Sequence, residues 1–321
     1  MAEVPDSCPT GCTIQQAVRW ASKCLRTTRG AGTDAVGGID QPRLEAELLL
    51  THVLGTRRID LHLRADECLS QDAAQDYAAL VQRRLAREPL AYILGRRAFY
   101  DLDLIVTPDV LVPRPETEHL VEEILSYLGT PSASSAGEEA ELALGAPGRV
   151  LDVGTGSGAI AVTVARHLPQ ARVWAVDISW TALQVACQNA RLAGVERRVQ
   201  FVQGDLLAPL GECFDVVAAN LPYIAAAELP ELMPEVARYE PRLALDGGAE
   251  GLEIIRRFLD QVAPHLGEPG LLLIEIDPRQ SQAVLALARE RLDGPTTFFS
   301  TIQDYAGHDR IIRIERGRPT L

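Results

Sequence analysis

No uninterrupted apolar run in this sequence approaches the roughly 20 residues that a membrane-spanning helix requires. The longest runs, such as Leu271–Ile274, are the size of a strand, which argues against an integral helical membrane protein. The first residues, Met1–Thr10, lack both a basic patch and an apolar core and carry Glu3 and Asp6 instead. Neither a secretory signal nor an Arg-rich mitochondrial address is expected there, and the reading is cytoplasmic. Clustered cysteines are also missing. Of the six, Cys8, Cys12, Cys24, Cys68, Cys187 and Cys213, only Cys8 and Cys12 are neighbours, and no second Cys or His pair completes a metal-ligand set. Scattered reduced thiols and no metal are expected. Positive charge is short as well. The net charge is −13, whereas a protein that grips nucleic acid through its phosphates usually carries a basic excess. The arginines at Arg83, Arg84, Arg87, Arg96 and Arg97 read as a solvated helix face. Finally, no Ser/His/Asp or Cys/His set suggests itself for covalent catalysis.

What is present suits two domains: 321 residues with 47% hydrophobic content, ordinary for a globular chain. The first ninety residues read as a helical bundle. Thr13 with Gln16 makes a capping box before an amphipathic run to Arg26, and the Gly-rich stretch Gly30–Gly38 ends it. Asp40 is expected to cap a second helix with Leu44, Leu48, Leu49 and Val53 on one face and Gly55 as its stop. A third starts after Ser70, with Ala73, Tyr77, Leu80, Val81 and Leu85 on one side, and Pro89 ends it. From Phe99 to Val112 alternation of Leu102, Leu104 and Val106 with Asp101, Asp103 and Ile105 predicts a β-hairpin with Pro108-Asp109 near its turn. A helix, His119–Leu128, follows, and Thr130–Gly148 reads as a linker or surface insertion.

Beyond Arg149, short apolar strands alternate with helices. Strands are expected at Val150–Val153, Val173–Val176, Val199–Gln203, Val216–Ala219, Leu271–Ile276 and Arg310–Ile314. Helices fall at Ala159–His167, Trp180–Ala193, Leu252–Ala263 and Gln280–Leu292. Continuous Val/Ile/Leu runs are the mark of buried parallel strands, so the fold class is a doubly wound α/β sheet.

Three signals carry chemistry. Asp152-Val153-Gly154-Thr155-Gly156-Ser157-Gly158-Ala159 leaves a strand and opens a helix, where glycines let the backbone turn sharply and approach a ligand. Asp177 ends the next strand, where a carboxylate can accept from both hydroxyls of a ribose. These two also fit a relaxed nicotinamide-dinucleotide fingerprint, although Asp152 inside the strand would repel a pyrophosphate and is better placed for a methionine moiety. The third signal favours methyl transfer: Asn220-Leu221-Pro222-Tyr223 after the strand ending at Ala219. An amide nitrogen is a poor nucleophile because its lone pair is delocalised. Two acceptors on its N–H groups push electron density back onto nitrogen. The Asn220 side-chain oxygen can be one and the Leu221 carbonyl the other. Pro222 stiffens the turn, and Tyr223 offers a flat face for a planar amide or base. A sulfonium methyl is already activated, so positioning and electrostatics can suffice.

These residues, with Glu88-Pro89-Leu90-Ala91-Tyr92-Ile93-Leu94-Gly95, Val112-Pro113-Arg114-Pro115-Glu116-Thr117-Glu118, Glu240-Pro241, Gly247-Gly248, Gly251-Leu252, Glu275 and Asp304–Arg310, span almost the whole chain. On them the sequence resembles the HemK/PrmC protein-(glutamine-N5) methyltransferases that modify peptide chain release factors. The resemblance implies a seven-stranded Rossmann-like class I methyltransferase sheet with a small N-terminal helical domain joined by a β-hairpin. The implied division is 1–90 for the helical domain, docking the partner protein, 91–113 for the hairpin linker and 114–321 for the methyltransferase domain. S-adenosylmethionine is the implied cofactor. Asp152 and Gly154, Thr155, Gly156, Ser157 and Gly158 would lie around its methionine part, Asp177 would hold the ribose and Leu206 would line the adenine pocket. Asn220, Leu221, Pro222 and Tyr223 would grip and activate the substrate glutamine in a Gly-Gly-Gln motif, with Asn220 also bordering the cofactor. Arg114 and Glu116 would shape the site mouth or anchor the hairpin. Two positions depart from the family. Leu221 stands where Pro is usual and Asp277 where Gly is usual. Asn-Leu-Pro-Tyr is also the form common in adenine-N6 methyltransferases of ribosomal RNA, so adenine-N6 methylation of RNA or DNA is the alternative. A catalytically silent cofactor-binding module is the third reading, opposed by the intact Asn220 and Tyr223.

Overall fold

The computed structural model describes residues 11–26, 39–129 and 148–317. Cys8, the stretch Gly30–Gly38 and nearly all of Thr130–Gly148 therefore lie outside the described residues. The chain forms two compact units: one runs to Gly95 and includes Leu232–Tyr239, and the other comprises Arg96–Glu231 and Glu240 onward. No helix among the described residues is long and apolar enough to cross a membrane.

The first unit is helical: α1 (Ile14–Arg26), α2 (Pro42–Leu54), α3 (Arg58–Leu63), α4 (Gln71–Leu85) and α5 (Leu90–Leu94). The capping box is in place, with Thr13 N donating to Gln16 Oε1 at 2.9 Å and Gln16 N to Thr13 Oγ1 at 3.3 Å. Ser70 caps α4, its hydroxyl oxygen accepting from Ala73 N at 3.2 Å. Gly55 stops α2 in the left-handed region at φ 58°. Asp40 is not the cap of α2. Gln41 holds that position without a side-chain bond because Pro42, first in the helix, has no N–H to satisfy. The buried face of α2 runs through Ala46, Glu47, Leu49 and Leu50, one step round from the expected stripe. α3 and α5 are too short for periodicity to reveal. Trp20, Leu25, Leu50, Tyr77 and Val81 fill the core, and the Tyr77 hydroxyl donates to the Ala46 carbonyl at 2.9 Å.

The expected solvated arginine face is partly wrong. Arg84 and Arg87 are buried, 5% and 8% exposed. Arg84 donates to Glu45 at 2.6 Å and to Glu235 at 2.9 Å, and Arg87 to Glu235 at 2.6 Å. Glu235 lies in α9 (Pro234–Tyr239), a short helix supplied from far along the chain, so nothing local in sequence announced the pairing.

The second unit begins with a two-stranded hairpin, β1 (Arg96–Phe99) and β2 (Leu102–Ile105), whose turn is Tyr100-Asp101 and not Pro108-Asp109. Phe99 and Leu104 face the core from opposite strands, and pairing Phe99 with Leu102 requires the tight turn, with Tyr100 at φ 54°. The sheet proper contains β3 (Arg149–Val153), β4 (Arg172–Asp177), β5 (Val199–Gln203), β6 (Phe214–Ala219), β7 (Leu266–Glu275), β8 (Thr297–Gln303) and β9 (Asp309–Arg316). Their order is β5-β4-β3-β6-β7-β9-β8, parallel except for β9 against β7 and β8. β8 has no counterpart among the expected strands. Its exposure alternates along Thr297–Gln303, so it lacks the continuous apolar run that marked the others. α6 (Glu118–Gly129), α7 (Ala159–His167) and α8 (Trp180–Leu192) share one apolar layer with the sheet, and α10 (Glu253–Val262) and α11 (Ser281–Leu292) the other.

Candidate active site

In an open α/β sheet the ligand crevice lies beyond the carboxyl ends of the strands where chain order reverses. Here the chain winds outward from β3 through β4 to β5, then returns to β6 on the other side of β3. Residues leaving β3, β4 and β6 therefore converge, and a cleft of about 380 Å³ opens there. Gly154, Thr155, Gly156, Ser157, Asp177, Leu206, Asn220, Leu221 and Pro222 all line it. The rest of the lining comes from Pro108–Leu111, Pro113, Arg114 and Thr117, and from Pro241, Leu243, Ala244, Asp246, Ile254 and Arg257.

The glycine-rich turn follows from backbone needs. Gly154 and Gly156 have φ 76° and 55°, conformations strained for side-chain-bearing residues. Gly154 N and Thr155 N both donate to the Val176 carbonyl, at 2.8 and 3.0 Å. Asp177 ties the turn to β4: its carboxylate accepts from Gly156 N and Ser179 N, each at 2.8 Å. Burial raises its pKa, against those backbone bonds. A carboxylate has about four lone-pair sites, so acceptor capacity remains for a ligand.

Two expected ligand contacts sit elsewhere. Asp152 is fully buried and off the cleft wall. One of its oxygens accepts from Thr155 Oγ1 at 2.7 Å and Ala161 N at 3.1 Å, so the carboxylate braces the turn from beneath. Burial, then the Asp177 charge, push its pKa up to about 7 against those two bonds. Gly158, at φ 81°, is a packing glycine: a Cβ there would stand 3.0 Å from both Ala186 Cβ and Val162 Cγ2. Leu206 reaches the cleft with φ 53°.

After β6, Asn220 Nδ2 donates to Thr117 Oγ1 at 3.1 Å. The turn beyond is held by close backbone approach. A Cβ on Gly247 would lie 2.7 Å from the Pro222 carbonyl oxygen, and one on Gly251 2.3 Å from that of Tyr223. Gln280 Nε2 donates to the same Tyr223 carbonyl at 2.9 Å. Tyr223 is half-buried and packs on the core beside the cleft rather than on its wall. Burial and then the charge of Glu275 push its phenol pKa well up, against Arg310 and Arg114. Arg114 pairs with the buried Glu240 at 2.6 Å and reaches the cleft; Glu116 does not line it. Asp277 has a local account. Its carboxylate caps the turn Pro278–Gln280, accepting from Arg279 N at 2.8 Å, a bond that glycine could not make.

Sequence reading missed Asn189 and gave no task to Thr117 and Glu275, which it named only as part of the resemblance. Asn189, in α8, joins Ile105 to the glycine turn: it accepts from Ile105 N at 2.7 Å and donates to the Ser157 carbonyl at 2.8 Å. An amide among the buried Leu183, Ala186 and Ala190 of that helix was the available signal. Thr117 sits in the Pro-Arg-Pro-Glu-Thr-Glu run but was given no task. Glu275, at the end of β7, is 2% exposed. Burial lifts its pKa to about 7, with Glu116 adding to the rise and Thr117, Arg310 and Asn220 opposing it.

A strand-end cleft with this glycine turn, this carboxylate and this Asn-x-Pro-Tyr turn defines a methyltransferase of the seven-stranded class I fold. A family model described as the PrmC N-terminal domain matches residues 16–95, and one described as a methyltransferase domain matches 150–239. The chain is 46% identical to the release factor glutamine methyltransferase of Moorella thermoacetica over 277 residues, 86% of this chain and 92% of that protein. It is 37% identical to the protein of the same name from Rhodopirellula baltica over 98% of this chain and 100% of that one. Among solved structures, the human METTL16 catalytic domain in complex with MAT2A 3′UTR hairpin 6 shares the fold, with a TM-score of 0.53, 13% identity and coverage of 76% and 83% of the two chains. The chain belongs to the release factor glutamine methyltransferase family.

Proposed function

We propose that this protein transfers a methyl group from S-adenosylmethionine to the side-chain amide nitrogen of the glutamine in the Gly-Gly-Gln motif of peptide chain release factors, acting in the cytoplasm. The residues fit the cofactor: the turn Gly154–Ser157 offers close backbone approach, Asp177 has free lone pairs for ribose hydroxyls, and Leu206 gives an apolar wall for adenine. Bound there, the cofactor supplies an electrophilic methyl group. The chain's own task is to prepare the nitrogen. With its NH2 group engaged by Thr117, Asn220 keeps its Oδ1 as an acceptor for one substrate N–H. The Leu221 carbonyl serves the other, which makes Leu in place of Pro harmless to the chemistry because every residue has that oxygen. The rigid Pro222 turn holds the two acceptors at fixed separation, and Tyr223, packed on the core beside the cleft, backs that turn from outside the wall. The helical unit docks the release factor. The observation that carries this reading is the Asn220–Thr117 bond at the wall of the cleft.

Tritiated S-adenosylmethionine with purified release factor and, separately, ribosomal RNA tests it. Label is expected in the protein glutamine; label in RNA alone overturns the assignment. Asn220→Ala should reduce transfer by at least about 100-fold, the scale of losing one aligned polar contact to a transition state, while cofactor affinity changes little. Because its ring is off the cleft wall and packs behind the Pro222 turn, Tyr223→Ala should loosen that turn, raise KM for release factor and leave cofactor affinity unchanged. Full activity of Asn220→Ala excludes the acceptor role.

A further inference from the structure

We propose that Thr117 and Glu275 are positioning residues that lock the Asn220 side-chain amide in one of its two orientations, oxygen toward the cleft. The inference rests on the proposed function and deepens it.

An asparagine amide presents oxygen on one side and NH2 on the other, and the two are nearly equal in shape. Rotation about its terminal torsion is soft. A flipped Asn220 would offer the substrate amide two donors, the opposite of what activation needs. Something must therefore separate the two states. The surroundings of the amide do so. Thr117 Oγ1 accepts from Asn220 Nδ2 at 3.1 Å. Glu275 lies beside this pair: the Thr117 hydroxyl and the Asn220 amide both pull its carboxyl pKa down against burial. Once Glu275 is ionised, at pH above about 7, its carboxylate can only accept, so the Thr117 hydroxyl is drawn to donate to Glu275 and turns its lone pairs to Asn220. The result is a one-way relay: Asn220 donates to Thr117, Thr117 donates to Glu275, and Oδ1 is left for the cleft. In the flipped state Oδ1 would face the carboxylate, acceptor against acceptor.

The placement of Glu275 supports a functional reason. It is 2% exposed at the end of β7, and its Oε2 has no hydrogen-bond partner. A buried carboxylate so weakly compensated destabilises the fold relative to an apolar or neutral side chain of the same size. Packing alone gives no reason for it. The relay does, and it also gives Thr117 a task within the Pro-Arg-Pro-Glu-Thr-Glu run.

The test uses the full chain, S-adenosylmethionine and release factor at pH 8, where Glu275 is ionised. Thr117→Val keeps the shape and removes the hydroxyl; kcat should fall at least about tenfold, the loss of an interaction felt in the transition state, with cofactor Kd within about twofold of wild type. Thr117→Ser restores the hydroxyl and should recover most of kcat. Glu275→Gln brings an NH2 group that can donate to a flipped Oδ1, and its kcat should also fall at least about tenfold, without loss of thermal stability at pH 8. The proposal is overturned if Thr117→Val or Glu275→Gln keeps wild-type kcat, if Thr117→Ser is as defective as Thr117→Val, or if the loss in Thr117→Val is matched by weaker cofactor binding. Absence of transfer by the wild-type protein would instead sink the substrate assignment.

Discussion

Glu235 of the helical unit and Glu275 of the catalytic unit are both buried, at 9% and 2% exposure, and the protein treats them in opposite ways. Glu235 accepts from two guanidiniums, Arg84 at 2.9 Å and Arg87 at 2.6 Å, and Arg84 reaches on to Glu45. Burial alone would lower the Arg84 pKa; Glu45 and Glu235 outweigh it and raise it. Glu275 has one oxygen with no partner, and burial dominates it. The first arrangement neutralises charge and fastens α9, the segment Leu232–Tyr239, within the helical unit, where Tyr239 also donates to the Ala86 carbonyl at 2.9 Å. The second leaves charge uncompensated where an amide must be oriented. Of these two, the fully paired carboxylate fastens a helix and the partly paired one is assigned to orienting an amide.

The sharpest way to break this contrast is to remove a cation from the helical unit. Arg84→Met would leave the half-buried Glu45 without its partner and the buried Glu235 with Arg87 alone. Stranding one half of a buried pair usually destabilises by about 3–5 kcal/mol. A drop of that size is expected in the urea unfolding of the protein followed by circular dichroism. A change under about 1 kcal/mol would mean that the cluster fastens nothing.

The catalytic unit should respond to pH instead. The folded pKa of Glu275 is raised to about 7 from an ordinary 4.5, so the folded state holds its proton more tightly than the unfolded state. Stability from this group is fully present below pH 4.5 and is lost as pH rises through 7. The shift corresponds to about 3 kcal/mol. Glu116 adds to the shift, and Arg310, Thr117 and Asn220 oppose it. Asp152, also raised to about 7, contributes a slope of the same sign. Glu275→Gln should therefore flatten the decline in unfolding free energy between pH 5 and 8 and be more stable than wild type at the upper end, while losing activity. An unchanged slope would contradict the uncompensated state assigned to Glu275.

The contrast also shows what could be read without coordinates. The parallel core announced itself because β3, β4 and β6 are largely apolar runs, and Asp152–Ala159, Asp177 and Asn220–Tyr223 lie at the carboxyl ends of these three strands. Features made by residues distant in sequence stayed hidden. The arginines of α4 and its C-terminal turn read as solvent-facing because Glu235 lies 151 positions from Arg84. Thr117 gained a role only when folding placed it beside Asn220, 103 positions away. Asp152 was correctly noticed as a carboxylate inside a strand, but sequence cannot say on which side of the turn a side chain lies. The hairpin was displaced because Arg96 and Arg97 masked the alternation of β1, and Tyr100 is an unusual residue for a left-handed turn position.

A third buried glutamate tests whether pairing or depth sets the outcome. Glu47 is 4% exposed and accepts from Arg43 at 3.0 Å and Arg58 at 2.9 Å. Burial raises its pKa, but the two guanidiniums outweigh it, so the carboxyl stays below the usual range. Unlike Arg84 and Arg87, both cations are exposed, with 68% and 51% of their side-chain surfaces open to water. Arg43→Ala leaves Arg58 in place and lets solvent reach the vacated oxygen, so it should lower stability by only about 0.5–1 kcal/mol, the range of solvent-exposed pairs. Salt should weaken that contribution, since water-exposed charges are screened, and should leave the loss in Arg84→Met nearly unchanged. Equal losses in the two variants, or equal salt dependence, would show that the burial of the cations is irrelevant and that any guanidinium beside a buried carboxylate fastens the helical unit equally well.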